Sequence, residues 1–397
     1  MAGTGRVGNL TKDQEAKLAK FKENIKDVLK DKHTDHHLLR FLRARSFNLK
    51  KTEEMFREDI EWRATNKISS ILKDYKPPEV FEKHWVGGNI GCDKDGHIVI
   101  ISNIGAVDPR GFVYSVTADD ATKLGMFIAQ ELYRFAKENS KKQGRYVEGM
   151  TMVFDVEGLT AEYLWRPGIR MFTDLTNLLE QHYPETIKTV YIVRAPAIFP
   201  VAYGLVKPFL HENTRKKIKV LKSGVWEEVL RRKIDPEVLP KHWGGTRVDP
   251  DGDPKCPSVI KQGGKVPESM YVKNHFTDEE NLTKIVIPAG SAKDLKYEVR
   301  EANCAIRYQF KTDEGEIIFG IVYRKNPKDK TDISVIFKPE KMFCNVTPAD
   351  GEVDAKDLGI YIIRFENPAK MTAKTLSYSI EVLEGAEEEL EAADAED

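Results

Sequence analysis

The chain has 397 residues, a formal net charge of −1, 41% hydrophobic and 31% charged residues. This is a globular composition with room for two or three domains. A near-zero charge excludes a global basic field for nucleic acid, and no apolar run of about 18 residues is present to span a membrane as a helix.

Thr11–Leu29 has helical periodicity. Thr11 stands as N-cap with Gln14 three residues on, the spacing of a capping box, and Leu18, Phe21, Ile25 and Leu29 form one apolar stripe. His36–Ala44 predicts a second helix and Leu49–Thr65 a third, with Met55, Ile60 and Trp62 as core residues. Arg40, Arg43 and Arg45 are expected to pair with local acids such as Glu53 and Glu54 rather than to form a phosphate patch.

Pro77-Pro78 breaks the chain, and strands and helices then alternate. His97–Ile104 reads as a strand behind the turn Asp93–Gly96. Thr117–Gln143 reads as a long helix with acids in its first turn and Lys141 and Lys142 at its end, as the helix dipole prefers. Gly149–Val156 is a second apolar strand, Tyr163–Tyr183 a helix interrupted near Pro167, Thr189–Arg194 a third strand and Val220–Leu221 a fourth. Glu227–Lys233 closes the series as a helix. This order predicts βαβ units and a mostly parallel sheet.

His242–Gly264 is heavy in Gly, Pro and Asp and marks a boundary. Beyond His275 the pattern is all-β: Leu282–Ile287, Leu295–Arg300, Ala305–Lys311, Glu316–Tyr323, Ile333–Phe337, Leu358–Phe365 and Thr375–Leu383 are seven short segments at sandwich spacing. Ile306, Tyr308 and Phe310 share one face. From Glu384 the tail holds eight acids and no base, the composition of a solvated, disordered segment. The expected division is therefore an all-α bundle over 1–75, an α/β domain over 76–249, a linker over 250–274, a β-sandwich over 275–383 and the acidic tail over 384–397.

Catalytic chemistry leaves little trace. The phosphate-loop pattern GxxxxGK[ST], the metalloprotease pattern HExxH and the nucleophile elbow GxSxG are absent. Cys92, Cys256, Cys304 and Cys344 are scattered, which fits reduced cytosolic thiols. His33, His36 and His37 offer two ligands at helical spacing without a third, so no metal and no cofactor is expected. Asp155 and Glu157 end an apolar strand, where a helix cap or hinge is expected rather than an acid/base pair. The expectation is a protein that is not an enzyme.

The stretch from Tyr183 to Lys222 is the most informative. After the strand Thr189–Arg194, Pro196 and Pro200 punctuate and Val201–Leu210 forms a short helix. Ala202, Leu205, Val206 and Phe209 make one apolar face, and Val201, Tyr203 and Leu210 make the other side apolar too. Such a helix is either deep core or faces something apolar that is not protein. Lys207, Arg215, Lys216, Lys217, Lys219 and Lys222 follow against one acid, Glu212. Apolar surface beside positive charge suits an anionic membrane, and equally a core helix with a solvated flank.

The segments FLRARSFNLKKTEEMF (41–56), VFDVEGL (153–159), HYPETIKTVYIVRAPAIFPVAYGLVKPFL (182–210) and LPKHWGG (239–245) resemble CRAL-TRIO lipid-binding proteins. RYQFKTDEGEIIFGIVYR (307–324) and YIIRFENPAKMTAKTLSYSIEVL (361–383) look like a GOLD domain. Together they resemble the supernatant protein factor/tocopherol-associated group, whose architecture also occurs in retinal-binding members of cephalopod photoreceptors. The resemblance implies a soluble carrier with an apolar cavity floored by the sheet and closed by a gate helix, here Ala197–Leu210 with Ile198, Phe199, Val201, Ala202, Leu205, Val206 and Phe209. It implies floor residues Ile101 or Asn103, Met152, Phe154, Val190, Ile192 and Arg194, and wall residues Leu124, Phe127, Ile128, Tyr133, Leu175 and Leu178. Glu185, Thr214 and Lys217 take the place of a headgroup-binding set at the mouth, although Thr186 stands where phosphoinositide carriers have Arg. Lys207, Arg215, Lys216 and Lys219 would face the membrane. The implied ligand is a small hydrophobic molecule, first a retinoid such as retinal, otherwise tocopherol, squalene or phosphatidylinositol. The implied partners are an anionic membrane and a protein bound through the GOLD domain, and the implied location is cytoplasmic with peripheral membrane association.

Overall fold

The computed structural model describes residues 4–272, 282–326, 331–345, 348–385 and 392–393. Helices α1 (Lys12–Asn24), α2 (Asp35–Ala44) and α3 (Leu49–Thr65) pack around Leu18, Phe21, Ile25, Leu38, Leu39, Phe41, Leu42, Met55 and Phe56. The capping box forms: Gln14 N donates to Thr11 Oγ1 at 3.2 Å, and Thr11 N donates to Gln14 Oε1 at 3.0 Å. Helix α1 ends earlier than periodicity suggests, because the chain turns at Ile25 and buries that side chain completely.

Two short helices, α4 (Ile71–Asp74) and α5 (Glu79–His84), lead into the α/β domain. Its strands are β1 (Val86–Cys92), β2 (Ile98–Asn103), β3 (Met150–Asp155), β4 (Ile187–Val193), β5 (Ile218–Leu221) and β6 (Lys261–Gln262). Strands β2 to β5 are parallel neighbours in chain order, and β1 and β6 add antiparallel at one edge. The helices are α6 (Pro109–Tyr114), α7 (Ala118–Lys142), α8 (Arg166–His182), α9 (Phe199–Val206), α10 (Glu212–Arg215) and α11 (Trp226–Lys233). Thr117 caps α7, and Lys141 and Lys142 lie in its last turn. Pro167 starts α8 rather than interrupting it, since a proline in the first turn loses no hydrogen bond.

Strand β1 was not expected, because its sequence VGGNIGC is rich in glycine. The glycine is required by a close approach: a Cβ on Gly88 would lie 1.8 Å from the Val259 carbonyl oxygen. Residues 250–272, expected to be a linker, are instead packed on this domain. Cys256 and Ile260 are fully buried, Val266 nearly so, and β6 pairs with β1.

The C-terminal region holds β7 (Thr283–Ile287), β8 (Ala292–Val299), β9 (Cys304–Thr312), β10 (Glu316–Arg324), β11 (Ser334–Phe343), β12 (Ala349–Ala355), β13 (Gly359–Glu366) and β14 (Lys374–Leu383). They form two antiparallel sheets, in orders β11-β10-β13-β8 and β12-β9-β14-β7. Ile306, Tyr308 and Phe310 do share the inner face, against Phe319, Ile363 and Phe365. The eighth strand, β12, has the sequence ADGEVDA, poor in strand formers, and is held by seven residue pairs with β9. In the acidic tail, Ala392–Ala393 (β15) pairs in parallel with Val220–Leu221 of β5; residues 386–391 and 394–397 lie outside the described residues.

Candidate functional site

The two faces of the parallel sheet are both apolar but meet different partners. Register places Ile100, Met152, Val190 and Ile218 in one row, and Ser102, Phe154, Ile192 and Val220 in the next. This face carries Ile98, Ile100, Met150, Met152, Val190 and Ile192 into one apolar cluster with α9. The opposite face sends Val99, Ile101, Val153, Tyr191 and Val193 against Trp226, Leu230, Leu239 and Trp243. Met152, Phe154, Val190 and Ile192, expected as floor residues, therefore lie together on the face that α9 covers. Ile101 and, two residues on, Asn103 belong to the opposite face; β2 contributes Ile98 and Ile100 to this one.

Helix α9 covers this floor. Ile198, Phe199, Val201 and Ala202 are buried in the floor cluster, with Tyr203 and Leu205 packed at its margin. Val206 is half-buried and Phe209 is 42% exposed, so the apolar side that the sequence could not place looks outward at its C-terminal end. No side chain caps α9, the 3₁₀ turn Lys207–Phe209 or α10. The segment is held by apolar contact rather than by capping hydrogen bonds.

The part of α7 that packs against this face lies further along than the expected wall residues. Leu132, Phe135 and Ala136 pack against the floor cluster, together with Tyr163. They follow Ile128 at helical spacing, which is the signal that would have found them. Leu124 and Ile128 pack with Val80, Phe112, Val116 and Val266. Phe127 meets the rings of Tyr75 at 6.1 Å and Phe81 at 6.0 Å. Tyr133 meets Tyr183 at 6.2 Å beneath the Arg40 guanidinium. Leu178 packs with Ile68, Ile71 and Met126, and Leu175 lies beside Gly125. The wall residues Leu132 and Phe135, Phe154 of the floor, and Tyr203 and Leu205 of α9 are only half-buried, whereas core residues on the opposite sheet face reach full burial.

Arg194 does not face the floor. It lies one residue past β4 with φ +55°, where its guanidinium turns to the other face. There Nε donates to Asp155 Oδ1 at 3.0 Å, Nη2 bonds Asp155 Oδ2, and Nη1 pairs with Glu157 at 2.5 Å. Arg194 thus bridges the two acids at and just past the end of β3. Trp243 Nε1 donates to the same fully buried Asp155 at 2.9 Å. Burial, and then the Arg194 charge, hold His242 below the usual histidine range.

At the mouth, Glu185 adopts φ +57° and its carboxylate meets Lys217 Nζ at 3.3 Å and Arg43 Nε at 3.7 Å. Thr214 lies in α10, on the turn that leads into Lys217. The arginines of α2 do not pair with Glu53 or Glu54. Arg40 is buried and donates to Pro184 O at 2.9 Å and Thr186 Oγ1 at 2.8 Å, and Arg43 pairs with Glu148. They stitch the helical region to the mouth, and Thr186 is one of the stitches. Of the basic run, Lys216 is exposed and pairs with Glu212 at 2.6 Å, Lys219 is on β5, and Lys207 and Arg215 line a cleft beside α9. A GxGxxG spacing occurs at Gly3, Gly5 and Gly8; Gly3 lies outside the described residues, Arg6 bridges Asn9, and α1 begins at Lys12.

Residues 82–245 match the family model of the CRAL/TRIO domain, and residues 14–58 match that of the CRAL/TRIO N-terminal domain. The chain carries a CRAL/TRIO domain. That domain runs from α5 to the turn after α11 and so contains floor, walls and covering helix. Among solved structures, the chain is similar to the crystal structure of Sfh5, with 17% identity and a TM-score of 0.46, over 63% of this chain and 85% of that one. It is also similar to an N-terminal cellulose-binding domain from Cellulomonas fimi β-1,4-glucanase C, with 13% identity and a TM-score of 0.20, over 28% of this chain and 81% of that one. At these scores neither likeness speaks to ligand or activity. No described helix is long and apolar enough to cross a membrane, and no described group of three His, Cys, Asp or Glu residues gathers as a metal site.

Proposed function

We propose that this CRAL/TRIO protein is a lipid carrier: α9 is a gate over an apolar ligand seated on the floor, and it opens at an anionic membrane. One observation carries the reading. An uncapped helix, apolar nearly all round, closes one apolar sheet face whose surrounding residues stay half-buried. A ligand burying roughly 400 Å² there gains about 10 kcal/mol, enough for tight binding after ordering costs. The lead ligand is a retinoid such as retinal, with tocopherol and squalene as alternatives of the same apolar character. Phosphatidylinositol is favoured by a separate observation, the Glu185–Lys217–Arg43 cluster at the mouth. The C-terminal sandwich is read as a GOLD domain, which would also offer a surface for a protein partner.

Organic extraction of the purified chain followed by mass spectrometry identifies the ligand class. The membrane step is tested by reversing charge at Arg215, Lys216 and Lys219 together. Transfer of all-trans-retinal between vesicles rich in phosphatidylserine should slow by roughly tenfold, and retinal binding in solution should be unchanged. Unchanged transfer removes the membrane-docking step, and absence of any retinal binding by the unaltered chain removes the retinoid.

A further inference from the structure

The sandwich does not stand apart from the gate. Ala305 at the start of β9 is fully buried in the same apolar cluster as Ile198, Phe199 and Val201, and Leu383 at the end of β14 packs against that cluster. A Cβ added to Gly385 would lie 3.3 Å from Cβ of Pro200. Beside this contact, Leu205, Lys207, Pro208 and Arg215 face Val382, Leu383 and Glu384 across an open cleft of about 500 Å³.

The rest of the sandwich interface rests on elements that do not belong to the gate. Arg307 Nη1 donates to Leu164 O at 2.6 Å and pairs with Glu381 at 2.5 Å, and Glu381 also bonds Arg166 at the start of α8. Trp165 Nε1 donates to Asp350 at 2.6 Å, and Arg110 of α6 pairs with Asp350 at 2.8 Å and Glu352 at 2.9 Å. The sandwich is thus anchored on α6 and α8 while the end of β14 reaches onto α9. Further on, Ala392–Ala393 pairs with β5, the strand that follows the gate in sequence.

We propose that the C-terminal sandwich is a clasp: the end of β14 occupies the gate surface that an anionic bilayer would otherwise take, so the gate opens only when β14 leaves it. The chemistry of the two occupants matches. Val382 and Leu383 with the acid Glu384 present apolar surface beside negative charge, as does an anionic bilayer, to the same Leu205, Lys207 and Arg215. The proposal rests on the reading of α9 as a gate, and it makes the sandwich the element that membranes displace.

The near contact of positions 200 and 385 supplies the test, because that separation is close to the Cβ–Cβ span of a disulfide. In the full chain, Pro200→Cys with Gly385→Cys should cross-link on oxidation; of the native cysteines, three are buried and Cys92 is partly so. Hydrogen exchange is read at the amides of 199–210, with and without vesicles rich in phosphatidylserine. Reduced protein should exchange about tenfold faster on vesicles, and oxidised protein should show no acceleration. All-trans-retinal transfer should fall by a similar factor on oxidation and return with reductant. Equal acceleration in both redox states, or none in the reduced state, overturns the clasp. Should the cross-link fail to form, Leu383→Ser decides: gate exchange without vesicles should rise about threefold, and an unchanged rate overturns the proposal. If gate exchange behaves as described while retinal moves in no form of the protein, the clasp stands and the carrier reading fails.

Discussion

Arg194 shows how one backbone angle decides a side chain's role. Alternation from Ile192 places it on the floor, but β4 ends at Val193 and φ +55° swings the guanidinium to the far face, onto Asp155. A sequence does not display a positive φ at a residue other than glycine, and Glu185 at the mouth carries the same surprise. Asp155 has no exposed surface, and its carboxylate oxygens are met by Arg194 and Trp243. Arg194→Met should therefore cost about 3–5 kcal/mol of stability, measured by denaturant unfolding, because it strands a buried carboxylate. Retinal binding by the folded variant should be unchanged, since the network lies across the sheet from the floor. A stable variant that has lost retinal binding would return Arg194 to the ligand.

The element scale separates what patterning can and cannot reveal. Strands β2, β3 and β4 were legible as apolar runs, and α7 as a capped, amphipathic helix, because each signal is local. Which strand face meets α9 was not legible, because a parallel strand is apolar on both sides and only the covering helices distinguish them. Which turns of α7 pack against that face was not legible for a related reason. Leu124, Ile128, Leu132 and Phe135 run along one continuous stripe, and the sheet, not the stripe, decides which turns overlie it. Strands β1 and β12 were missed because the glycines that permit a close approach in one and the acids that meet Arg110 in the other leave both sequences poor in strand formers. The two faces make opposite predictions. Met152→Trp fills the floor and should abolish retinal binding while the fold survives with a cost of about 1–3 kcal/mol. Ile101→Ala empties the opposite core and should cost about 2–5 kcal/mol while retinal binding per folded molecule persists. Titration of retinal fluorescence beside thermal unfolding of both variants checks the assignment, and a reversal of the pattern would invert the faces.

At the scale of the whole molecule, the three regions are joined by charges that no single segment announces. The sequence offered Arg40 and Arg43 only local acids, yet they reach Pro184, Thr186 and Glu148 across the fold. Arg110 likewise reaches the sandwich, where Glu352 is nearly inaccessible and its Oε1 has no partner. Burial pushes the Glu352 carboxyl up to about 7, against the opposing pull of Arg110 and Arg307 and with a further push from Asp350. The sign follows from linkage. A carboxyl raised above its unfolded value of 4.5 is held protonated by the fold, so its contribution is complete below 4.5 and fades as pH rises through about 7. The sandwich interface should therefore loosen by on the order of 2 kcal/mol between pH 5 and 7. Glu352→Gln, which keeps the shape and has no proton to lose, should flatten that dependence. The measurement is the thermal unfolding midpoint of both proteins across this range, with hydrogen exchange at Trp165 and Arg307 to locate the change. Because the same interface carries β14 onto α9, exchange over 199–210 in the unaltered chain should quicken over the same rise in pH and should not do so in Glu352→Gln. A slope that persists in the variant would assign the pH dependence to another group and leave Glu352 an ionised partner of Arg110.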